Sequence, residues 1–219
     1  MRRRQFLTLS AASVGGVLVY TLDRKPGRVA AQDKTIKVPL RFFTETEALA
    51  VAAAAARIFP SDESGPGADE AGVVIYIDRQ LAGPYGRDRY RYRQPPFEAG
   101  PAELGYQGQA TPRDIYRDGL NRIAGLHRLE PAGQDALLKQ IETTLFFSLL
   151  RTHTIEGLFC DPMHGGNIDM IGWQLVGFPG PRMSYSQEVD QYHGRPFRPK
   201  PASLWQIIGR PVRPSEDEK

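Results

Sequence analysis

Cys160, Asp161, His164 and Asp169 are four side chains of metal-ligating type in one short glycine-rich stretch, DPMHGGNIDMIGWQLVGFPGP with the cysteine just before it. A thiolate, two carboxylates and an imidazole are the donor set that would hold a divalent cation. The spacing argues the other way. CDPMH fits no recognised ligand pattern, and Pro162 restricts how the chain folds back on itself. Cys160 is the only cysteine, so neither an intrachain disulfide nor a cysteine cluster can form. His193 is a further ligand type, far along the chain. An independent periplasmic metal-dependent enzyme or binding protein using Cys160, Asp161, His164 and Asp169 therefore stands as the alternative reading. The favoured reading is a rigid loop. Gly165, Gly166, Gly172, Gly177 and Gly180 permit left-handed or closely packed backbone, Asp161 and Asn167 are turn makers, and Trp173, Leu175 and Phe178 bring apolar surface for the core or for a partner.

Other chemistries lack their residues. The glycine pair Gly65 and Gly67 has no third glycine and sits between helical segments, which excludes a dinucleotide fingerprint. G-x-S-x-G, H-E-x-x-H and C-x-x-C-H are absent from the sequence. His153 and Glu156 are three apart, but a di-iron bundle needs the order Glu-x-x-His twice and two further glutamates.

The chain start sets the compartment. MRRRQFLTLSAASVGGVLVYTLDRKPGRVAAQ has a basic head, an uncharged run from Gln5 to Leu22 and a small-residue site at Val29-Ala30-Ala31. Arg3, Arg4, Phe6 and Leu7 form a twin-arginine signal, with Arg2 where serine or threonine is usual. The run holds Thr8, Ser10, Ser13, Gly15 and Gly16, too polar for a membrane span. Periplasmic export by the twin-arginine translocase follows, with residues 1–31 as the signal. Without them, 22 basic and 24 acidic residues remain, a net −2, so the basic excess belongs to the signal. Arg87, Arg89, Tyr90, Arg91, Tyr92 and Arg93 resemble a stacking platform for single strands, but an exported acidic chain leaves no nucleic-acid partner and favours a tyrosine-rich protein interface. Twin-arginine substrates fold before export, commonly around a cofactor; either this chain or a companion carries it.

The elements that position the loop are helical, and the expected fold is all-α. Thr44-Glu45-Thr46-Glu47 is a capping box for a helix over about 45–59, stopped by Pro60. Val73, Val74, Ile77 and Leu81 share a helical face, giving a helix over about 69–82 with Asp69 as cap and Asp78, Arg79 and Gln80 on the solvated side. Residues 83–110 have no sustained period, and so long a connection binds something or wraps a neighbour. Thr111-Pro112 opens a helix through RDIYRDGLNRIAGLHRL with Ile115, Gly119, Ile123 and Leu126 recurring. Another starts near Pro131, burying Leu137, Leu138 and Ile141, and TTLFFSLLRTHTIEGLF buries Phe146, Phe147, Leu150 and part of His153. Helical period disappears from Cys160. The organisation is thus a helical domain over 32–182 with long irregular loops, then an extended arm over 183–219, its last residues PSEDEK disordered.

EGLFCDPMHGGNIDMIGWQLVGFPGP resembles the signature of the gluconate 2-dehydrogenase subunit 3 family, and AARIFPSDESGPGADEAGVVIYIDRQLAGPYG, GYQGQATPRDIYRDGL and LLRTHTIEGLF follow it in order over roughly residues 40–182. The resemblance implies a non-catalytic small subunit with no catalytic residue and no cofactor of its own. It implies as partner a signal-less flavoprotein of the glucose-methanol-choline oxidoreductase type that carries FAD, crosses the membrane bound to this chain and is helped to fold or load its flavin. A multihaem cytochrome c is a further implied partner. On this reading Asp161, Pro162, His164, Gly165, Gly166, Asn167, Trp173, Phe178 and Pro179, with the 83–110 loop and the C-terminal arm, form the clamp on the large subunit. His164 stands where the family often has tyrosine.

Overall fold

A computed structural model describes residues 38–209 apart from 92, 93, 99 and 198. The signal residues Arg3, Arg4, Phe6 and Leu7, the cleavage site and the PSEDEK tail lie outside the described residues. Among the described residues there are helices and no strand, so the chain is all-α.

Five helices make the core: α1 (Glu45–Ile58), α2 (Val73–Ala82), α3 (Pro112–Arg122), α4 (Pro131–Gln140) and α5 (Leu145–Phe159). Helix α1 starts where the sequence places it. The Thr44 side chain accepts from the Glu47 amide while the Glu47 carboxylate accepts from Thr44, which satisfies two amides that a helix start leaves open. Its alanine face (Ala48, Ala50, Val51, Ala54, Ala55) is buried, and small side chains let neighbouring helices approach. Helix α3 has the same reciprocal cap in Thr111 and Asp114, with Pro112 at its first turn. Helix α5 packs on α1, α2 and α3 and is the central strut.

Three expectations are corrected here. Helix α2 starts at Val73, with Gly72 rather than Asp69 at its cap; Gly72 has φ 67°, a left-handed geometry that breaks the helix before it. Asp78 is not on a solvated side but buried, because its carboxylate accepts three backbone amides, from Arg41 at 2.8 Å and from Phe42 and Phe43 at 2.9 Å each. This moors the segment before α1 onto α2. The helix expected through residue 129 ends at Arg122; Gly125, at φ 77°, turns the chain into a short 3-10 turn over Leu126–Arg128.

Helicity also returns after Cys160. Short helices α6 (Ile171–Val176), α7 (Ser186–Gln191) and α8 (Leu204–Ile207) interrupt the irregular backbone, so the arm beyond residue 182 is extended only between them. The 83–110 loop is gathered by Arg91, which donates to Asp88 and to the carbonyls of Tyr106 and Ala110 and lies over the Tyr106 ring.

Candidate functional site

The 161–181 segment leaves the C-terminal end of α5 and is fastened to the core at nearly every turn. Asp161 is the first fastening. Its Oδ1 accepts the Met163 amide and caps a 3-10 turn over Pro162–His164, while Oδ2 accepts the Leu204 amide at 2.7 Å, which ties α8 of the arm to this loop. A second tie joins them: Ala202 N–H donates to the Pro179 carbonyl.

Asn167 is the second fastening, fully buried at 0 % exposure. Its Nδ2 donates to the Cys160 carbonyl and its Oδ1 accepts the Gly172 amide, both at 2.8 Å. Satisfying both ends of a buried amide in this way fixes the loop's path, since either end left open would cost about 1–3 kcal/mol. The next amide, of Ile168, donates to the Ala71 carbonyl just before α2. At Gly166 and Gly172 the loop runs so close to α5 that an added Cβ would lie 2.2 Å from the Gly157 carbonyl oxygen and 2.0 Å from that of Leu158.

Trp173 is the third. It is 4 % exposed, donates from its indole nitrogen to the Phe159 carbonyl at 2.7 Å and meets the Phe178 ring edge-on at 5.1 Å. The indole thus serves this chain's own packing. Of the residues expected to meet a partner, Gly165, Gly166, Asn167, Trp173 and Pro179 are buried, Asp161 and Pro162 are half-buried, and His164 and Phe178 are exposed. Val176, Phe178, Met183, Leu204, Ile207 and Ile208 are also exposed apolar side chains of this loop and the arm.

Two of the four candidate metal donors, Cys160 and Asp161, are engaged within the chain. Burial pushes the Cys160 thiol up to about 12, so it stays protonated at neutral pH, and its hydrogen is directed to the Gly157 carbonyl. Both Asp161 oxygens are engaged by amides. Among the described residues no three His, Cys, Asp or Glu side chains converge as a metal site.

A second polar cluster lies inside the helical core. His153 on α5 is 1 % exposed; its Nε2 pairs with the Tyr85 hydroxyl at 2.8 Å and its Nδ1 with Tyr116 at 2.9 Å, the Tyr116 ring stacking on the imidazole. Burial lowers the His153 pKa to about 4, so the ring is neutral and one hydroxyl donates to it while the other accepts. Burial also raises Tyr85 to about 12, with Glu156 and Asp88 adding to it, and raises Tyr116 well above its ordinary value. One turn on, Glu156 accepts from the Tyr76 hydroxyl at 3.0 Å. Sequence reading placed part of the His153 ring inside but missed its partners. Tyr85 lies in the irregular loop, and no local spacing connects it to α5.

The molecule is therefore a helical scaffold that presents a braced, irregular surface. It belongs to the gluconate 2-dehydrogenase subunit 3 family, whose model matches residues 45–180, more than half of the chain. That family is a subunit of gluconate 2-dehydrogenase complexes, which implies a dehydrogenase partner. No curated protein and no solved structure matches the chain.

Proposed function

We propose that this chain is the non-catalytic small subunit of a periplasmic flavin-dependent sugar or polyol dehydrogenase of the glucose-methanol-choline type. It binds a flavoprotein that lacks an export signal, assists its folding and lends it the twin-arginine address at Arg3 and Arg4. Family membership over residues 45–180 carries the reading. The braced loop supports it: a surface held by buried Asn167 and Trp173, yet lined outside by Val176, Phe178, Met183 and Ile207, suits docking more than turnover. Flavin and substrate belong to the partner, and a cytochrome c takes its electrons.

The test is co-production with the cognate dehydrogenase subunit. Both chains are expected to purify together and the dehydrogenase activity to appear in the periplasm. Replacing Arg3 and Arg4 by lysine strands that activity in the cytoplasm. Unchanged periplasmic activity in the double-lysine variant would refute the escort role, and failure to co-purify would refute the subunit role.

A further inference from the structure

One charged group reaches the loop from a separate element. Arg79 on α2 is half-buried, and its side chain lies across the loop at Gly165: a Cβ at that position would sit 2.5 Å from Nη1 and 3.0 Å from Cζ. Gly165 accommodates it with φ 99°, a conformation other residues rarely adopt. Among the described residues, no side chain or carbonyl accepts a hydrogen bond from this guanidinium. Burial and Arg41 lower its pKa, and the charge of Asp78 opposes them. Asp78 accepts the amides of Arg41, Phe42 and Phe43, and its carboxylate makes no hydrogen bond to the Arg79 side chain.

A guanidinium offers five donors in a planar fork that matches a carboxylate, and partial burial without an acceptor is unfavourable. Exposed His164 adjoins Gly165, and Asp161 at the base of the same turn pins α8, whose neighbourhood exposes Leu204, Ile207 and Ile208. Apolar surface beside a charged anchor excludes water once covered and strengthens the pair.

We propose that Arg79 is the receptor for a carboxylate of the dehydrogenase partner, an Asp or Glu side chain that enters beside His164 and pairs with the guanidinium over Gly165. This rests on the subunit role proposed above and specifies where and by what chemistry the partner is gripped. The full chain is co-produced with its dehydrogenase subunit, and dissociation of the purified complex is timed for wild type, Arg79→Met and Arg79→Lys. Arg79→Met is expected to dissociate at least ~30-fold faster, with Arg79→Lys in between, because truncating one partner of a buried charge pair acts on the off-rate. A photo-crosslinking phenylalanine analogue in place of His164 is expected to capture a dehydrogenase peptide containing Asp or Glu. Neutralising that residue to Asn or Gln should reproduce the Arg79→Met effect, and combining the two should add little. Should Arg79→Met alter the melting of this chain alone, the substitution on the dehydrogenase side decides, since it leaves this fold untouched. A wild-type dissociation rate in either variant overturns the proposal, as does a crosslink to residues 214–219 of this chain, which would make its own acidic tail the occupant. If wild type itself holds no dehydrogenase, the subunit role fails as well; if it does and Arg79→Met holds it equally, only this inference falls.

Discussion

Helix α5 and the loop that leaves it both bury polar side chains, and they use them differently. In α5, His153 is held by two tyrosine hydroxyls from separate elements, so its hydrogen bonds tie the 83–110 loop and α3 to the central strut. In the loop, Asn167 and Trp173 bond only to backbone, at Cys160, Gly172 and Phe159, so they shape one stretch of chain. The first arrangement stabilises the fold as a whole. The second stabilises a surface, and disturbing it should leave the helices standing.

The sharpest way to break this contrast is acid. His153 has its pKa lowered to about 4 in the fold against 6.5 when exposed, so the unfolded chain takes up the proton first as pH falls. The stabilisation is complete above about pH 6.5 and drains away through the window down to about 4. Linkage makes the loss about 3 kcal/mol between pH 7 and pH 4. Denaturant titrations at both pH values should show His153→Gln losing about that much less than wild type over the same interval, whatever its stability at pH 7. Equal pH slopes would mean that the buried ring is protonated or hydrated in the fold.

Asn167→Ala should have the next largest effect, about 2 kcal/mol, because it opens the Cys160 carbonyl and the Gly172 amide together. Its signature is local: hydrogen exchange should rise across residues 161–180 while amides in the middle of α5 keep their protection. If exchange rises equally in both regions, loop and core are one cooperative unit and the contrast fails.

How far the sequence revealed each region follows the same division. The core was readable because helix starts are local events: Thr44 with Glu47 and Thr111 with Asp114 declare their caps within four residues. Asp78 was misread because its acceptors' partners are amides some 35 residues earlier, in chain with no period of its own. Helix α6 escaped because six residues are too few for a 3.6-residue repeat to recur, and Asp169 and Met170 just before it are left-handed. At the loop, residue types and glycine positions pointed to a rigid turn, but only the fold separates buried Trp173 from exposed Phe178, or shows Arg79 reaching Gly165 from another helix.

The smallest expected effect probes stored strain. Among the described residues the non-glycine positions with positive φ are Asp88, Asn167, Asp169 and Met170, three of them inside this loop. Asn and Asp tolerate that region, but a methionine at φ 59° is held there by its surroundings, at roughly 1 kcal/mol. Glycine at 170 removes that strain and adds back chain entropy in the unfolded state, so Met170→Gly should stabilise by about 0.5 kcal/mol in a denaturant midpoint. The same change makes the loop easier to deform, and the complex with the dehydrogenase should then dissociate modestly faster although the chain is more stable. Opposite signs in the two measurements would mark the left-handed run as a device for presenting a surface. A loss in both would instead show that the half-buried Met170 side chain contributes packing, and would move this end of the loop into the core's account.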